Sequence, residues 1–159
     1  MTDPRFWKII KFALIGVLIA ALVISGQSGR ISSTDFNTMA QAVTDAADLA
    51  PMQEADNQML KRLYGLDGTA YDGVLLYYPM TNMGAEELLL VKMSDVSQTE
   101  EVQTAIEGRL ATQKKSFDGY GADQTAMLEK SIITVRGNYA LFISAADPVR
   151  VQQAFDKNY

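Results

Sequence analysis

The amino-acid sequence predicts an α+β domain: a four-stranded antiparallel sheet with helices mainly on one face, preceded by one N-terminal transmembrane helix. Three observations lead there. Two pairs of short apolar runs, Val74 to Tyr78 with Glu87 to Met93 and Ile132 to Arg136 with Tyr139 to Ser144, have the length and composition of strands. A long amphipathic helical pattern separates the two pairs. Near the N-terminus, Phe6 to Ile24 reads FWKIIKFALIGVLIAALVI, apolar except for Lys8 and Lys11.

At ~1.5 Å per residue, that N-terminal stretch comes close to the ~30 Å thickness of the hydrocarbon core. Its two lysines can snorkel into the headgroups, and Phe6 and Trp7 suit the interfacial aromatic belt. Among residues 25 to 40 only Arg30 is basic, so the excess of positive charge predicts a cytoplasmic N-terminus and an extracytoplasmic domain. The expectation is a single-pass cell-membrane protein contacting the bilayer through residues 6–24, with an anchor at 1–26, a linker at 27–33 and a domain at 34–159. Two alternatives stay open. The uninterrupted apolar core, Phe12 to Ile24, also has the length of a signal-peptide core followed by Ser25-Gly26, although Val23 and Ile24 match a cleavage site poorly, and a buried helix is the third reading.

Within the domain, Phe36, Met39, Ala40, Val43, Ala47 and Ala50 recur at helical spacing behind a Ser33/Thr34 cap and stop at Pro51. A second helix is expected from Met52 to Tyr64, with Ala55, Met59 and Leu63 on one face and Gly65 as its stop. Asp67-Gly68 and Asp72-Gly73 punctuate the approach to the first strand. Both runs of the first pair are apolar on two faces, the pattern of strands covered on at least one side. Ser97 with Glu100 reads as a capping box, and Val102, Ile106, Leu110, Gln113 and Phe117 continue one face of the long helix to Gly119. A shorter helix is expected over Asp123 to Lys130. Gly137-Asn138 joins the second strand pair in a tight hairpin, and Asp147-Pro148 opens a last helix with Val151, Ala154 and Phe155 inward. The order is ααββα(α)ββα.

Composition removes several chemistries. The chain has no cysteine and no histidine, so it has no disulfide, thiolate nucleophile, imidazole base, Cys/His zinc site or lipid-attachment cysteine. No cofactor or metal is expected. Residues 1–25 carry three bases and one acid, and the remainder carries 11 bases and 18 acids, so a segment of +2 precedes a domain of −7 within the chain's net −5. A domain of that sign is repelled by phosphate backbones, and no nucleic-acid partner is expected.

Residue patterns that resemble sites have plainer readings beside them. Adjacent Glu86 and Glu87 point to opposite faces of a strand and cannot share a proton there. Asp67-Gly68 and Asp72-Gly73 lack the alternating ligands of a calcium loop and read as turns. Gly119-Tyr120-Gly121 follows a helix and reads as its stop. Lys114-Lys115 with Lys130 and Arg136 forms either a small anion-binding patch or a complement to a helix dipole. Arg109 borders the apolar stripe of the long helix and needs an acceptor, for which Glu87 is the candidate. Tyr77, Tyr78, Met80 and Met83 gather at a strand end and its loop, where they make a partner-binding surface if exposed and core if the long helix covers them.

Some of these residues recur in a known family. Glu87-Leu88 opens a strand that runs to Lys92, and Ile106-Glu107-x-Arg109 and Gln113-Lys114-Lys115-Ser116-Phe117 lie on the long helix; Tyr120 follows it, and Gly137-Asn138-Tyr139 marks the hairpin. In this combination, from Phe36 to the C-terminus, the chain resembles the domain-of-unknown-function 4358 family. The resemblance implies an exported protein of Gram-positive bacteria, held by an N-terminal anchor or a lipoprotein signal. Relatives with a lipobox cysteine differ from this chain, whose retention then rests on the hydrophobic helix. No activity or catalytic residue comes with the family. The resulting expectation is a non-catalytic binding or interaction module with an envelope protein or ligand as partner, and Tyr77, Tyr78, Met80, Met83, Arg109 and Tyr120 as its patch. The competing reading is a small-ligand-binding domain or an envelope enzyme that uses carboxylates. An enzyme requires a pocket with convergent acidic groups, whereas a module requires an exposed apolar or tyrosine-bearing patch near Pro79 to Ala85.

Overall fold

The computed structural model describes residues 31–159. The anchor expected at Phe6 to Ile24 and most of the linker lie outside the described residues. Among those described, no helix is long and apolar enough to cross a membrane.

The first helix, α1 (Phe36–Ala46), is capped by Asp35, whose carboxylate accepts from the N–H groups of Asn37 and Thr38. That cap replaces the Ser33/Thr34 pair expected from sequence, and the helix ends four residues before Ala50. The next segment departs further. Residues expected to begin the second helix form a short strand, β1 (Met52–Glu54), and α2 (Asn57–Tyr64) starts only after Asp56 caps the N–H of Met59. The reason is long-range pairing. Met80 N–H donates to Pro51 and Ala55 N–H to Leu76 across 3.1 and 2.9 Å, which holds the stretch extended against residues more than twenty positions away. Gly65 ends α2 at φ +72°, a left-handed conformation that glycine adopts without steric cost.

Strands β2 (Gly73–Pro79), β3 (Glu87–Lys92), β4 (Ile132–Arg136) and β5 (Tyr139–Ser144) lie where sequence places them to within a residue at each end. With β1 they form a five-stranded sheet in the order β1-β2-β3-β5-β4, antiparallel throughout. The expected four-stranded sheet therefore gains an edge strand.

The helices do not gather on one face. On one side of the sheet, Leu76, Leu89, Val91 and Phe142 pack with Leu60 and Tyr64 of α2 and with Val102 and Ile106 of α3 (Thr99–Phe117). On the other side, Leu88, Leu90, Leu141 and Ile143 pack with Met39 and Val43 of α1 and with Val151 and Phe155 of α5 (Pro148–Asn158). The molecule is a three-layer sandwich because β5 is buried at all six positions and β3 at five of six. Apolar side chains on both faces of a strand require a cover on each. A short helix, α4 (Ala122–Glu129), closes the end of α3 by burying Leu128 against Phe117 and Ala85.

The start of α3 corrects another detail. Its capping box belongs to Asp95 and Gln98, within a single 3-10 turn over Val96–Gln98, and Ser97 donates to Asp95 instead of capping. By contrast, the β4–β5 hairpin follows its sequence signal. Gly137 has φ +51° and Asn138 is outside the left-handed region, the pattern of a two-residue turn with glycine first. Replacing Gly137 with valine is expected to cost about 1–2 kcal/mol, since a β-branched residue at positive φ is strained. Unchanged thermal unfolding of that variant would count against the strain.

Two ends of the sheet are chemically distinct. At one, Ser32 N–H donates to Asn138 Oδ1 at 2.9 Å, Ser32 Oγ donates to the Tyr159 carbonyl at 3.1 Å, and Lys92 Nζ donates to the Thr34 carbonyl at 3.0 Å. The chain is thus pinned where β3 ends and the hairpin turns. The opposite end carries Pro79, Glu87 and Ser144, and the candidate site lies there.

Candidate functional site

Glu87 opens β3 on the face covered by α2 and α3, and it is fully buried. A lone carboxylate in such a place is costly, so its surroundings must supply donors. Arg109, one turn beyond Ile106 on α3, binds it with both forks: Nε donates to Oε1 at 3.0 Å and Nη2 to Oε2 at 2.6 Å. Gln113, one turn further on, donates Nε2 to Oε2 at 2.9 Å, and Tyr64 at the end of α2 donates its hydroxyl to Oε1. Four donors thus converge on two oxygens. The ion pair inferred for Arg109 and Glu87 from sequence is present and joins β3 to α3, and the Tyr64 hydroxyl adds α2.

Titration behaviour follows from this geometry. Burial, then the charge of Glu87 and its hydrogen bond, push the Tyr64 phenol well above its ordinary value, so it stays a donor. Burial alone would lower the Arg109 guanidinium. The hydrogen bonds and charge of Glu87 outweigh that and raise it. Arg109 therefore remains a cation locked onto its carboxylate.

The Gln113 side chain has a fixed orientation for the same reason. An ionised carboxylate only accepts, so the amide must present its NH₂ to Glu87, which leaves Oε1 on the other side. Gln113 Oε1 is buried and has no hydrogen-bond partner among the described residues. The other such atom there is Ser144 Oγ, directly across the β3–β5 ladder from Glu87. Each unpaired buried acceptor costs roughly 1–3 kcal/mol, which makes Gln113 a feature to be explained.

In front of this network lies a cleft of about 300 Å³ between the ends of β1 and β2, α2 and α3. Arg109 and Gln113 line it, whereas Glu87 and Ser144 do not. Met59, Leu63, Tyr78 and Phe117 supply apolar walls, Arg62 a cation, and Met80, Thr81 and Asn82 the rim. No Asp or Glu lines it among the described residues. Arg62 is exposed and has no ion pair or hydrogen bond within them, so its charge is available.

An apolar surface continues from the rim. Met80 and Met83 are 58% and 55% exposed, and Tyr120 is 66% exposed with its ring 6.1 Å from that of Phe117. Gln124 Nε2 holds the Met83 carbonyl at 3.0 Å and so ties this loop to α4. Of the residues expected to form a patch, Tyr78, Met80, Met83, Arg109 and Tyr120 are therefore gathered at one end of the molecule. Tyr77 is not, because strand alternation turns it to the opposite face, where it packs with the α1/α5 layer. Arg62 and Tyr64 were not legible as site residues. Gln113 left a signal, since an amide in an otherwise apolar helical stripe must find a buried partner.

Two other patterns resolve into structure. Asp67 caps a 3-10 turn and takes donors from Lys61, Asn57 and Thr69, which hold its carboxyl well below the usual range. Glu86 is half-buried beside the backbone of Ala85, away from the Glu87 cage.

A family model described as a domain of unknown function (DUF4358) matches residues 45–145. The chain belongs to this family. The match runs from the last turn of α1 through β5, so it contains all four members of the Glu87 cage and every lining residue of the cleft. Within the DUF4358 region the resemblance carried by Glu87, Arg109, Gln113 and Phe117 thus coincides with one physical unit. No curated protein and no solved structure gives a match.

Proposed function

We propose that this DUF4358 protein is a non-catalytic binding module, tethered by residues 6–24 to the cell membrane and displayed outside the cytoplasm, with the cleft and the Met80–Tyr120 surface as its binding face. The observation that carries this reading is the state of Glu87. General acid–base work requires a carboxylate with access to substrate and a free lone pair. Glu87 is buried behind Arg109 and Gln113, and four donors occupy its oxygens. Among the described residues no carboxylate lines the cleft, which disfavours the carboxylate-dependent enzyme alternative. Recognition suits what remains: apolar walls, a few placed polar groups and an exposed methionine–tyrosine rim. The tether favours the same face, since the chain joins the domain at Ser32, at the far end of the sheet from the cleft.

Because the chain lacks cysteine, single cysteines can report without background. Met80→Cys and Tyr120→Cys in the full-length protein are expected to react with a membrane-impermeant maleimide on intact cells. A photocrosslinker attached there should capture a partner that the same reagent at Val149→Cys does not. Labelling only after lysis would reverse the orientation. Equal capture from Val149 would dismiss the proposed face.

A further inference from the structure

We infer that the outer edge of β4 pairs antiparallel with β4 of a second copy of this chain, about a two-fold axis at Thr134, and so joins two five-stranded sheets into one. The pairing uses a different part of the molecule from the cleft.

The two edges of the sheet are built differently. β1 has three residues and bonds β2 through the backbone of Pro51 and Ala55, which turns the backbone of Met52 and Glu54 outward. The Met52 N–H is taken by the Leu49 carbonyl at 3.0 Å, and the Glu54 side chain is exposed and charged, so this edge is blunted. β4 reads Ile-Ile-Thr-Val-Arg, four β-branched residues in an unbroken register with neither proline nor lysine. Its one charge, Arg136, is held by Asp156 at 2.6 Å and lies 4.2 Å from the centre of the Tyr159 ring.

The outward groups of β4 follow from strand alternation. The Asn138 carbonyl accepts from Met93 N–H at 2.7 Å and so faces β3. Tyr139, Leu141 and Ile143 therefore turn their backbone groups to β4, where their partners are Arg136, Thr134 and Ile132. The N–H and C=O groups of Ile133 and Val135 point away from the sheet, and none of the four has a partner among the described residues. A groove of about 640 Å³ runs along them, with Thr99, Gln103 and Glu107 on its α3 wall and Gln152 and Asp156 on its α5 wall. Such polar walls offer an apolar helix little to bury against, whereas backbone groups at strand spacing are completed by another strand.

The spacing suits this strand itself. Turned about Thr134, Ile133 faces the partner's Val135 and Val135 faces the partner's Ile133, so every outward group of both copies is paired. Thr134 meets the partner's Thr134, a favourable cross-strand pair. Neighbouring registers do less. About Ile133, Val135 would face the partner's Ser131, whose N–H is already bonded to the Leu128 carbonyl; about Val135, Ile133 would face the partner's Gly137 in the turn. The position of the tether also favours a second copy. Ser32 is bonded to Asn138, in the turn at the end of this edge. In the pair the two turns lie about eight strand residues, or ~27 Å, apart. Residues 27–31 reach ~17 Å, so both leads can descend to one bilayer parallel to the sheet. Confinement there raises the effective concentration of a second copy, although the pairing itself does not require the tether.

Disulfide trapping of the full-length chain in isolated membranes tests this, because the chain has no cysteine of its own. Thr134→Cys would stand opposite its twin at a non-hydrogen-bonded site, with Cα atoms ~4.5 Å apart, within the range of a disulfide. Mild oxidation is expected to convert it to a covalent dimer. Ile133→Cys, whose twin lies two residues along at roughly 8–9 Å, and Met80→Cys, on the rim three strands away, should each crosslink about tenfold less. Val135→Pro removes an outward N–H and leaves the β4–β5 bonds in place, so adding it to Thr134→Cys should lower the yield about tenfold with the thermal unfolding midpoint little changed. Equal yields at the three cysteines would mean random collision and overturn the pairing. So would no dimer from Thr134→Cys, a Thr134→Cys adduct with a different protein, or a yield that Val135→Pro leaves intact in a folded chain. If Val135→Pro unfolds, the contrast between Thr134→Cys and Ile133→Cys decides alone. Capture at Met80 and Tyr120 reports on the cleft separately, so either reading can fall without the other.

Discussion

Arg109→Ala is expected to lower the stability of the domain by about 3–5 kcal/mol, more than any surface substitution, because it strands a buried carboxylate. Glu87 would keep Tyr64 and Gln113 as partners but lose the one cation paired with it among the described residues. The decisive measurement is a double-mutant cycle in urea with Met as the apolar replacement at both positions. Changing Glu87 and Arg109 together removes both charges, so the pair should cost clearly less than the sum of the single changes. Additive losses would mean that the two side chains do not act as a unit, and the cage would then have no claim to orient Gln113.

Phe155→Ala is expected to cost about 3–5 kcal/mol in the same assay. Phe155 lies on α5 with no exposed surface, its ring edge-on to Tyr139 at 6.3 Å and beside Tyr159 at 5.8 Å. It is the largest side chain that α5 contributes to the second layer. Val149, on the same helix but 51% exposed, provides the control, and its replacement by alanine should change stability by no more than about 0.5 kcal/mol. Similar small effects at both positions would place α5 off the sheet and leave β3 and β5 uncovered on that face.

These two expectations fall on opposite sides of the sheet, and they differ in how far sequence anticipates them. The Glu87–Arg109 pair was readable because a charged residue bordering an apolar stripe needs a partner, and Glu87 was the acid placed at a strand start. The inward position of Phe155 was readable from helical spacing, but the layer it belongs to was not. Periodicity says which side of a helix is apolar and nothing about which face of a sheet it covers. The double-sided apolar pattern of β2 and β3 was the clue, and it supports a sheet covered on one face or on two.

The amino-acid sequence by itself determined the α+β class, four of the five strands, the glycine-led hairpin, the last helix with its proline, and the absence of cysteine and histidine chemistry. Each depends on residues near one another in the chain, where local sterics and spacing decide. The tertiary structure alone decided that Met52–Glu54 is a strand, that helices lie on both faces, and that Arg62, Arg109 and Gln113 line one cleft. Those outcomes depend on hydrogen bonds and apolar contacts between residues far apart in sequence, whose energies no local pattern encodes.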